Sequence, residues 1–198
     1  MSNRVIDNDF DRIILGIDPG TNIMGYGVLG CRKKEITLVS MGIITLGKID
    51  SHALKLKKIF ERTLGLIDSY HPDEMALEAP FYGKNVQSML KLGRAQGVAM
   101  AAGLYRELPI FEYAPKRIKQ SITGSGSASK EQVAGILKSI LKFDEIPKNL
   151  DATDGMAAAV CHFFQGGLPT SSKTSSSKSS KKHGSWESFI SNNPDRIK

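Results

Sequence analysis

The sequence predicts an α/β protein in which a mixed sheet is flanked by helices. Three short runs rich in apolar and β-branched residues occupy the first part of the chain, as expected of strands. Two further short apolar runs then alternate with longer segments of helical periodicity. Strands that come first and are then interspersed with helices are typical of a sheet with helices packed on its faces.

The elements of the first part are bounded by turn-forming residues. Residues 13–18 are apolar up to Asp18 and stop at Pro19-Gly20, which predicts a buried strand that enters a turn. Residues 24–30 and 36–46 combine glycine with β-branched residues and predict a hairpin and meander. Ser51 is a candidate N-cap for a helix that ends near Tyr70, before His71-Pro72.

Helices dominate the second part, where the strands are brief. The predicted strands cover residues 75–79 and 109–113. The predicted helices cover residues 85–107, 115–122, a segment that ends near residue 141, and 150–164. Pro115 opens the second helix, Ser127 or Ser129 caps the third, and Gly166-Gly167 ends the last.

The composition predicts a folded protein of one domain. Hydrophobic residues make up 40% and charged residues 24% of the 198 positions, close to globular averages. No apolar run approaches the roughly 18 residues of a spanning helix, and no secretory signal is visible. Cys31 and Cys161 are spaced for neither a metal site nor a disulfide framework. We therefore expect a cytoplasmic protein with reduced thiols and no membrane association.

Much of the positive charge lies near the C-terminus. The net charge is +7, and residues 170–198 contribute +4 of it. Residues 170–182 read TSSKTSSSKSSKK, which offers too little apolar surface to offset the entropy of ordering. We expect a disordered tail, and a basic tether that binds a polyanion is the functional alternative.

Four carboxylates stand at positions that suggest a shared role. Asp18 and Glu78 end otherwise apolar strands, where an acid is costly to bury unless it is paired or binds a cation. Asp151 and Asp154 are three residues apart at the start of the last predicted helix, so they share one face. Taken singly, these residues also fit a turn, a helix N-terminus or an ion pair.

Taken together, the four acids predict a metal centre. An all-oxygen donor set without a His or Cys cluster suits Mg²⁺, with Mn²⁺ as a plausible substitute. Two such ions about 3.5–4 Å apart can hold the attacking and leaving oxygens of a phosphodiester. We therefore expect a metal-dependent nuclease with two Mg²⁺ ions in each active site.

Five ordered blocks of the chain closely resemble the RuvC family of Holliday-junction resolvases. They read GIDPGTNIMGYGV, LEAPFYGKN, LKLGRAQGVA, FEYAPKRIKQSITGSGSASKEQV and DATDGMAAAVCH. The resemblance implies a ribonuclease-H-like fold, a homodimer and Mg²⁺-dependent paired nicking of four-way DNA junctions in recombination and repair. It also implies that Asp18, Glu78, Asp151 and Asp154 are the catalytic metal ligands, and that the RuvA–RuvB branch-migration complex is a partner.

The resemblance also suggests domain boundaries. Residues 1–12 are interpreted as an N-terminal extension, residues 13–168 as the nuclease domain and residues 169–198 as the tail. One departure from the family pattern is Gly155, at a position that is more often alanine. On helix propensity we expect this glycine to weaken the last helix by about 1 kcal/mol.

The fourth block contains a basic segment. Residues 113–130 include Lys116, Arg117, Lys119 and Lys130 and no acid. The pattern predicts a phosphate-binding stripe, with a solvated basic face as the alternative. The resemblance implies that residues matching Lys119 and Lys130 serve DNA binding and catalysis.

A loop with two aromatic residues follows Glu78. Phe81, Tyr82 and Lys84 are predicted to be exposed, and burial of both rings in the core is the alternative. The resemblance implies that Phe81 is a wedge or stacking platform at the exchange point of the junction. Lys84 is a further predicted DNA contact, and the role of Tyr82 stays open.

Small residues recur in the predicted helix 85–107. Gly93, Gly97, Ala101 and Ala102 permit close packing, either across a homodimer or on the protein's own sheet. The sequence does not separate the two. His162, eight residues after Asp154, is interpreted as structural.

Three other functions fit parts of the sequence. A strand followed by Asp-Pro-Gly-Thr also resembles the phosphate loop of actin-like ATPases, but such proteins need two related domains. A ribonuclease-H-like nuclease that cuts RNA is disfavoured by the LEAPFYGKN block and the KRIKQ segment. A non-catalytic junction-binding scaffold has no need of four acids that repel phosphate.

Overall fold

The structure is a computed structural model and describes residues 10–80 and 85–166. Within these ranges the chain forms a five-stranded sheet and five helices. The strands are β1 (Arg12–Asp18), β2 (Ile23–Arg32), β3 (Glu35–Thr45), β4 (Glu74–Glu78) and β5 (Ile110–Tyr113). The helices are α1 (His52–Tyr70), α2 (Val86–Tyr105), α3 (Pro115–Thr123), α4 (Lys130–Leu141) and α5 (Asp151–Phe164). None of these described helices is long and apolar enough to cross a bilayer.

The predicted strands and helices are all present, with ends shifted by a few residues. β1 begins at Arg12, which the sequence assigned to the N-terminal extension. The predicted tail and the loop residues Phe81, Tyr82 and Lys84 lie outside the described residues.

The sheet is mixed, as the sequence predicts. Its strand order is β3-β2-β1-β4-β5. β2 runs antiparallel to both β1 and β3, whereas β4 runs parallel to both β1 and β5. The first three strands are a meander, and the parallel strands follow helical connections because parallel pairing requires a crossover.

The pleat turns two strand-end acids to the same face of the sheet. Ile17 of β1 is paired with Leu77 of β4, so Asp18 and Glu78 follow as neighbours at the carboxyl ends of two parallel strands. Side chains alternate along a strand. Ala76, two residues before Glu78, packs in the hydrophobic cluster that contains most of α5. Both acids therefore lie on the face that α5 covers.

Hydrophobic clusters on the two faces of the sheet hold the helices in place. One cluster includes Ile14 and Leu29 and packs against α3, α4 and α5. The other includes Leu15 and Met75 and packs against α1 and α2. Because the first cluster excludes water, packing against the sheet, α3 and α4 fixes the position of α5 over β1 and β2.

The start of α4 is set by a capping box. The Ser129 Oγ accepts a hydrogen bond from the Gln132 backbone N–H at 3.2 Å. The Gln132 Oε1 accepts one from the Ser129 N–H at 2.8 Å. These reciprocal bonds satisfy two free N–H groups of the first turn. Ser129 rather than Ser127 is therefore the N-cap, and Lys130 is the first residue of the helix.

His162 belongs to a buried polar network at the far end of α5. Its Nε2 lies 2.8 Å from the Glu74 Oε2, and the Tyr113 hydroxyl lies 2.7 Å from its Nδ1. Arg12 reaches the same Glu74 carboxylate at 3.3 Å. Burial lowers the pKa of His162, although the neighbouring carboxylate opposes this effect. The network joins α5 to β4 and β5, in agreement with the structural interpretation of this histidine.

Gly65 offers a test of the packing of α1. It lies on the exposed side of the helix, and no atom lies within 4 Å of the position that a Cβ would occupy. Gly65→Ala is expected to stabilise the protein by about 0.5–1 kcal/mol, because alanine loses less backbone entropy in a helix. The urea midpoint measures this gain, and a lower midpoint would contradict the exposed placement.

Candidate active site

Three carboxylates meet at one end of the sheet. Asp18 ends β1, and Asp151 and Asp154 lie in the first turn of α5. One carboxylate oxygen from each residue lies within 4.8 Å of those of the other two. The fold thus brings together three of the four acids that the sequence singled out, although more than 130 positions separate Asp18 from the other two.

Glu78 borders this site without belonging to the group of three. Glu78 and Asp18 line one cavity of about 230 Å³. The other residues that line this cavity are Pro19, Ala79, Pro80, Leu92, Gln96 and Lys130. Asp18 therefore links the two groups, because its carboxylate lies with those of Asp151 and Asp154 and it also lines the cavity with Glu78.

Burial and the neighbouring negative charges raise the pKa values of Asp18, Glu78 and Asp154. Burial, followed by the charges of Glu78 and Asp154, raises the pKa of Asp18 to about 8. Burial and then the charge of Asp154 raise the pKa of Glu78 to about 7. Burial also raises the pKa of Asp154, against the opposing effect of Lys130. A bound cation would relieve the repulsion and favour the ionised carboxylates.

The close approach of α5 to the sheet depends on glycine. A Cβ added at Gly25 would collide with the Asp151 carbonyl oxygen, and one at Gly16 would collide with the Gly155 carbonyl oxygen. Gly25 is also the residue paired with Asp18 across β1 and β2. The absence of side chains at these two strand positions therefore lets the helix begin directly beside Asp18.

Gly155, on α5, packs closely against the backbone of β2. A Cβ added there would lie 2.6 Å from the Tyr26 Cα. The expectation of a weakened helix considered propensity alone and omitted this contact. In the structure α5 is continuous from Asp151 to Phe164, and Gly155 is buried against β2. The cost in propensity is therefore accompanied by closer packing.

Two of the predicted phosphate-binding lysines lie beside the acids. The Lys130 Nζ lies 3.1 Å from the Asp151 Oδ1 and 2.5 Å from the Asp154 Oδ2. Burial acts to lower the pKa of Lys130, but its hydrogen bonds to the two carboxylates raise it overall. Lys119, on α3, is close enough for its charge to lower the pKa of Glu78 against the larger effect of burial.

Arg117, another predicted DNA contact, is directed away from the acids. The Arg117 guanidinium donates a hydrogen bond to the Gln165 Oε1 at 2.5 Å. Gln165 caps the C-terminal end of α5, whereas Asp151 begins that helix of 14 residues. At 1.5 Å per residue the two ends are about 20 Å apart. Lys116 is exposed on α3. The basic stripe is therefore divided between the acidic site and the far end of α5.

Gln96 is a site residue that the sequence analysis missed. It lies on α2, is 6% exposed and lines the cavity beside Asp18 and Glu78. Its Nε2 donates a hydrogen bond to the Glu112 Oε2 at 2.6 Å. The only sequence signal was a polar residue between alanines on the inward face of the helix. Its proximity to the acids depends on how α2 crosses the sheet.

The part of the chain that holds this site matches a known protein family. The family model described as crossover junction endodeoxyribonuclease RuvC matches residues 14–162. That range is well over half of the 198 residues and includes all four acids.

The chain belongs to the RuvC family. The resemblance carried by the five sequence blocks is confirmed. Among its relatives, the crossover junction endodeoxyribonuclease RuvC of Cytophaga hutchinsonii is 59% identical over 198 residues, which are 100% of this chain and 94% of that protein. The protein of the same name from Bacteroides fragilis is 57% identical over 190 residues, 95% of this chain and 97% of that one.

Two solved structures share the fold of this chain. Thermus thermophilus RuvC in complex with Holliday junction substrate aligns with a TM-score of 0.73 and 27% identity, over 78% of this chain and 94% of that chain. The yeast mitochondrial Holliday junction resolvase aligns with a TM-score of 0.55 and 13% identity, over 76% and 77% of the two chains, and this likeness concerns the fold alone. The predicted ribonuclease-H-like fold is confirmed.

The RuvC-family site fits a divalent metal ion. RuvC-family proteins are metal-dependent nucleases. Here the donors are all carboxylate oxygens, from Asp18, Asp151 and Asp154, which is the chemistry that hard cations prefer. The raised pKa of Asp18 is a second indication, because burial and then the charges of Glu78 and Asp154 disfavour its ionised form, which a bound cation would favour.

The pH dependence of stability follows from these pKa values. The folded protein keeps Asp18 protonated up to about pH 8, whereas the unfolded chain loses that proton near pH 4. The folded state therefore binds more protons across this window, and its stability falls as pH rises through it. In EDTA we expect a lower thermal midpoint at pH 8 than at pH 6, and Mg²⁺ should reverse part of the loss.

Asp18→Asn is the control for this pH effect. The amide cannot ionise, so the variant should lose less stability than the wild type between pH 6 and pH 8 in EDTA. Comparing the two proteins cancels the contribution of His162, which lies at the other end of α5. Equal losses in both proteins would show that Asp18 is not the group responsible.

Proposed function

We propose that this protein is an endonuclease that resolves four-way (Holliday) DNA junctions by paired symmetric nicks in homologous recombination and DNA repair. The observation that carries the proposal is the group of three carboxylates within 4.8 Å, in a chain that belongs to the RuvC family. The structural similarity to a RuvC protein in complex with a Holliday junction substrate supports the same substrate class.

The acids have a role that suits hydrolysis of a phosphodiester. Asp18, Asp151 and Asp154 would hold Mg²⁺, and Glu78 faces the same cavity from the neighbouring strand. Two bound Mg²⁺ ions would supply the activation of a water molecule and the neutralisation of charge on the scissile phosphate, for hydrolysis to 5′-phosphate and 3′-hydroxyl ends. The carboxylates hold the cations without supplying a nucleophile of their own. The scissile phosphate would lie at the cavity of about 230 Å³ that Asp18 and Glu78 line.

The basic residues have a role in binding the negatively charged strand. Lys119 and Lys130 lie beside the acids and would contact the phosphates nearest the cleaved bond. Lys116 is exposed and Arg117 lies toward the far end of α5, so both would contact phosphates farther away. Phe81 and Lys84 follow β4 directly and are proposed to reach the exchange point of the junction.

A homodimer would place two such sites on a twofold-symmetric junction. Gly97 and Ala101 of α2 are exposed, as are Leu90 and Leu104 on the same side of the helix. Nothing lies within 4 Å of where a Gly97 Cβ would be, whereas Ala102 is buried against the protein's own core. The small residues are therefore divided between the protein's own core and its surface. We propose the exposed ones as the dimer contact.

A charged residue on this stripe should disrupt the dimer. Ala101→Glu is expected to convert the protein to monomers, because it places a charge in an apolar contact, and paired nicking should be lost with the dimer. Ala53→Glu is the matched control, since Ala53 is exposed at the start of α1. Sedimentation equilibrium measures the change. A dimer that survives Ala101→Glu would contradict this interface.

Three further expectations concern partner, location and metal. Partnership with the RuvA–RuvB branch-migration complex rests on the family resemblance. A cytoplasmic location rests on the sequence composition, and the use of Mn²⁺ in place of Mg²⁺ rests on the all-oxygen donor set. The first is testable by co-purification with that complex on a junction.

Cleavage of a mobile four-way junction tests the proposed function. The full chain is incubated with a junction labelled on each strand in turn, in Mg²⁺, Mn²⁺ or EDTA, beside a linear duplex of the same sequence. We expect nicks at symmetric positions on two opposed strands, products that a ligase can reseal, and no cleavage in EDTA or of the duplex. Tight junction binding without nicks would indicate a scaffold, and preferential cleavage of an RNA–DNA hybrid would indicate a different ribonuclease-H-like nuclease.

A further inference from the structure

The ammonium group of Lys130 contacts the acidic cluster directly. Its ammonium nitrogen is 3.1 Å from the Asp151 Oδ1 and 2.5 Å from the Asp154 Oδ2. Both carboxylates belong to the group whose oxygens lie within 4.8 Å of one another. The positive charge therefore engages two of the three carboxylates that a divalent cation would also need.

The backbone of Lys130 is fixed by the helix start, whereas its side chain is half exposed. The capping box of Ser129 and Gln132 fixes the first turn of α4, where Lys130 is the first residue. Its side chain is 50% exposed, whereas the Asp154 side chain that it contacts is only 13% exposed. A long, flexible lysine side chain of this kind can leave the carboxylates for solvent or for a phosphate without any change in the helix.

The neighbouring lysine differs in this respect. Lys119 acts on Glu78 and Asp154 through its charge alone, and the ion pairs found among the described residues include none from Lys119 to the acids. The site therefore has one lysine bonded to the acids and one nearby. This difference separates a specific contact from the general field of positive charge.

We propose that Lys130 is an exchangeable counter-cation, which competes with the divalent ion for Asp151 and Asp154 in the DNA-free protein and transfers to a phosphate when DNA binds. This inference rests on the proposed function. A phosphate draws the ammonium away because it offers the same kind of charge-assisted hydrogen bond. Metal and DNA then favour each other's binding through the lysine, since each is stabilised by its departure from the carboxylates.

The consequence is a restraint on metal loading before substrate is present. In the DNA-free protein the ammonium holds two of the carboxylates and weakens metal binding. On a junction the same ammonium moves to a phosphate, so full metal affinity coincides with a bound strand. Lys130 thereby makes full metal affinity depend on bound DNA.

Metal binding in the absence of DNA tests this proposal without relying on cleavage. Mg²⁺ is titrated calorimetrically into the full-length wild type, Lys130→Met and Lys119→Met. We expect Lys130→Met to bind Mg²⁺ about tenfold more tightly than the wild type. Lys119→Met removes the same charge without breaking an ion pair, so its affinity should increase by much less.

A second titration measures the coupling. A junction with phosphorothioate linkages at the cleavage positions, which resists cleavage, is bound first, and Mg²⁺ is then added. The junction should increase the Mg²⁺ affinity of the wild type more than that of Lys130→Met. Thermal midpoints of the three proteins establish that each is folded.

The outcomes distinguish this inference from the proposed function. Equal Mg²⁺ affinities for Lys130→Met and the wild type, or equal increases for the two lysine variants, would overturn the exchange role of Lys130 and leave junction cleavage untouched. Absence of Mg²⁺ binding in all three folded proteins, with and without DNA, would overturn both.

Discussion

Replacing Asp18 with asparagine is expected to abolish junction cleavage while leaving junction binding intact. Asp18 lies within 4.8 Å of both Asp151 and Asp154, so it is the residue through which β1 completes the metal site. Loss of a metal ligand removes several kcal/mol of charge stabilisation in the transition state, which corresponds to a rate lower by a factor of about 1,000 or more. Single-turnover cleavage of a labelled junction measures the rate, and a gel-shift titration in EDTA measures binding.

Asp68→Asn is the matched control for this substitution. It makes the same chemical change on α1, where Asp68 forms an exposed ion pair with Arg106 at 2.8 Å. α1 packs on the face of the sheet opposite to α5, so cleavage should stay at the wild-type rate. If Asp18→Asn lost cleavage and binding in equal proportion, the acid would be required for folding or DNA contact rather than for the metal.

Replacing Gly25 with alanine is expected to slow cleavage by about 100-fold although it alters no ionisable side chain. The new Cβ would collide with the Asp151 carbonyl oxygen, so the start of α5 must move away from β2. Asp151 and Asp154 then move relative to Asp18, and a displacement of about 1 Å in an active site can cost two orders of magnitude in rate. The overpacking should also destabilise the fold by about 1–3 kcal/mol.

Positioning and stability can be separated for Gly25→Ala. Cleavage is measured well below the thermal midpoint of the variant, together with its Mg²⁺ affinity and junction binding. We expect weaker Mg²⁺ binding and normal junction binding, because only the carboxylates have moved. Gly65→Ala, which adds the same methyl group in open space, should keep the wild-type rate. A Gly25→Ala rate within about twofold of the wild type would show that α5 tolerates the displacement.

Much of the fold could be predicted from the sequence because its signals are local. Apolar runs that stop at Asp18 and Glu78 indicated strands, and the order of strands and helices indicated a mixed sheet flanked by helices. The pairing of Asp151 with Asp154 needed only the period of a helix, since residues three apart share a face. The five sequence blocks indicated the family, and the match to the family model confirms this resemblance.

The sequence was less informative wherever two distant segments meet. Gly155 resembled a flaw in a helix because propensity is a property of one segment, whereas its contact with Tyr26 involves another. Gln96 resembled a single polar residue on an apolar face, because only the crossing of α2 over the sheet brings it to the acids. Lys119 and Arg117, two residues apart on α3, had the same sequence signal but lie toward opposite ends of α5.

The sequence by itself therefore determined the elements, the family and the four acids, since each depends on short-range patterns of residue type. Only the tertiary structure decided how those acids are arranged: three have carboxylate oxygens within 4.8 Å of one another, Glu78 lines a cavity with Asp18, and the Lys130 ammonium is bonded to Asp151 and Asp154. The physical reason is that this arrangement depends on a separation of a few ångströms between α5 and β2. That separation is set by glycines at positions 16, 25 and 155, which permit contact between backbones that a side chain would keep apart.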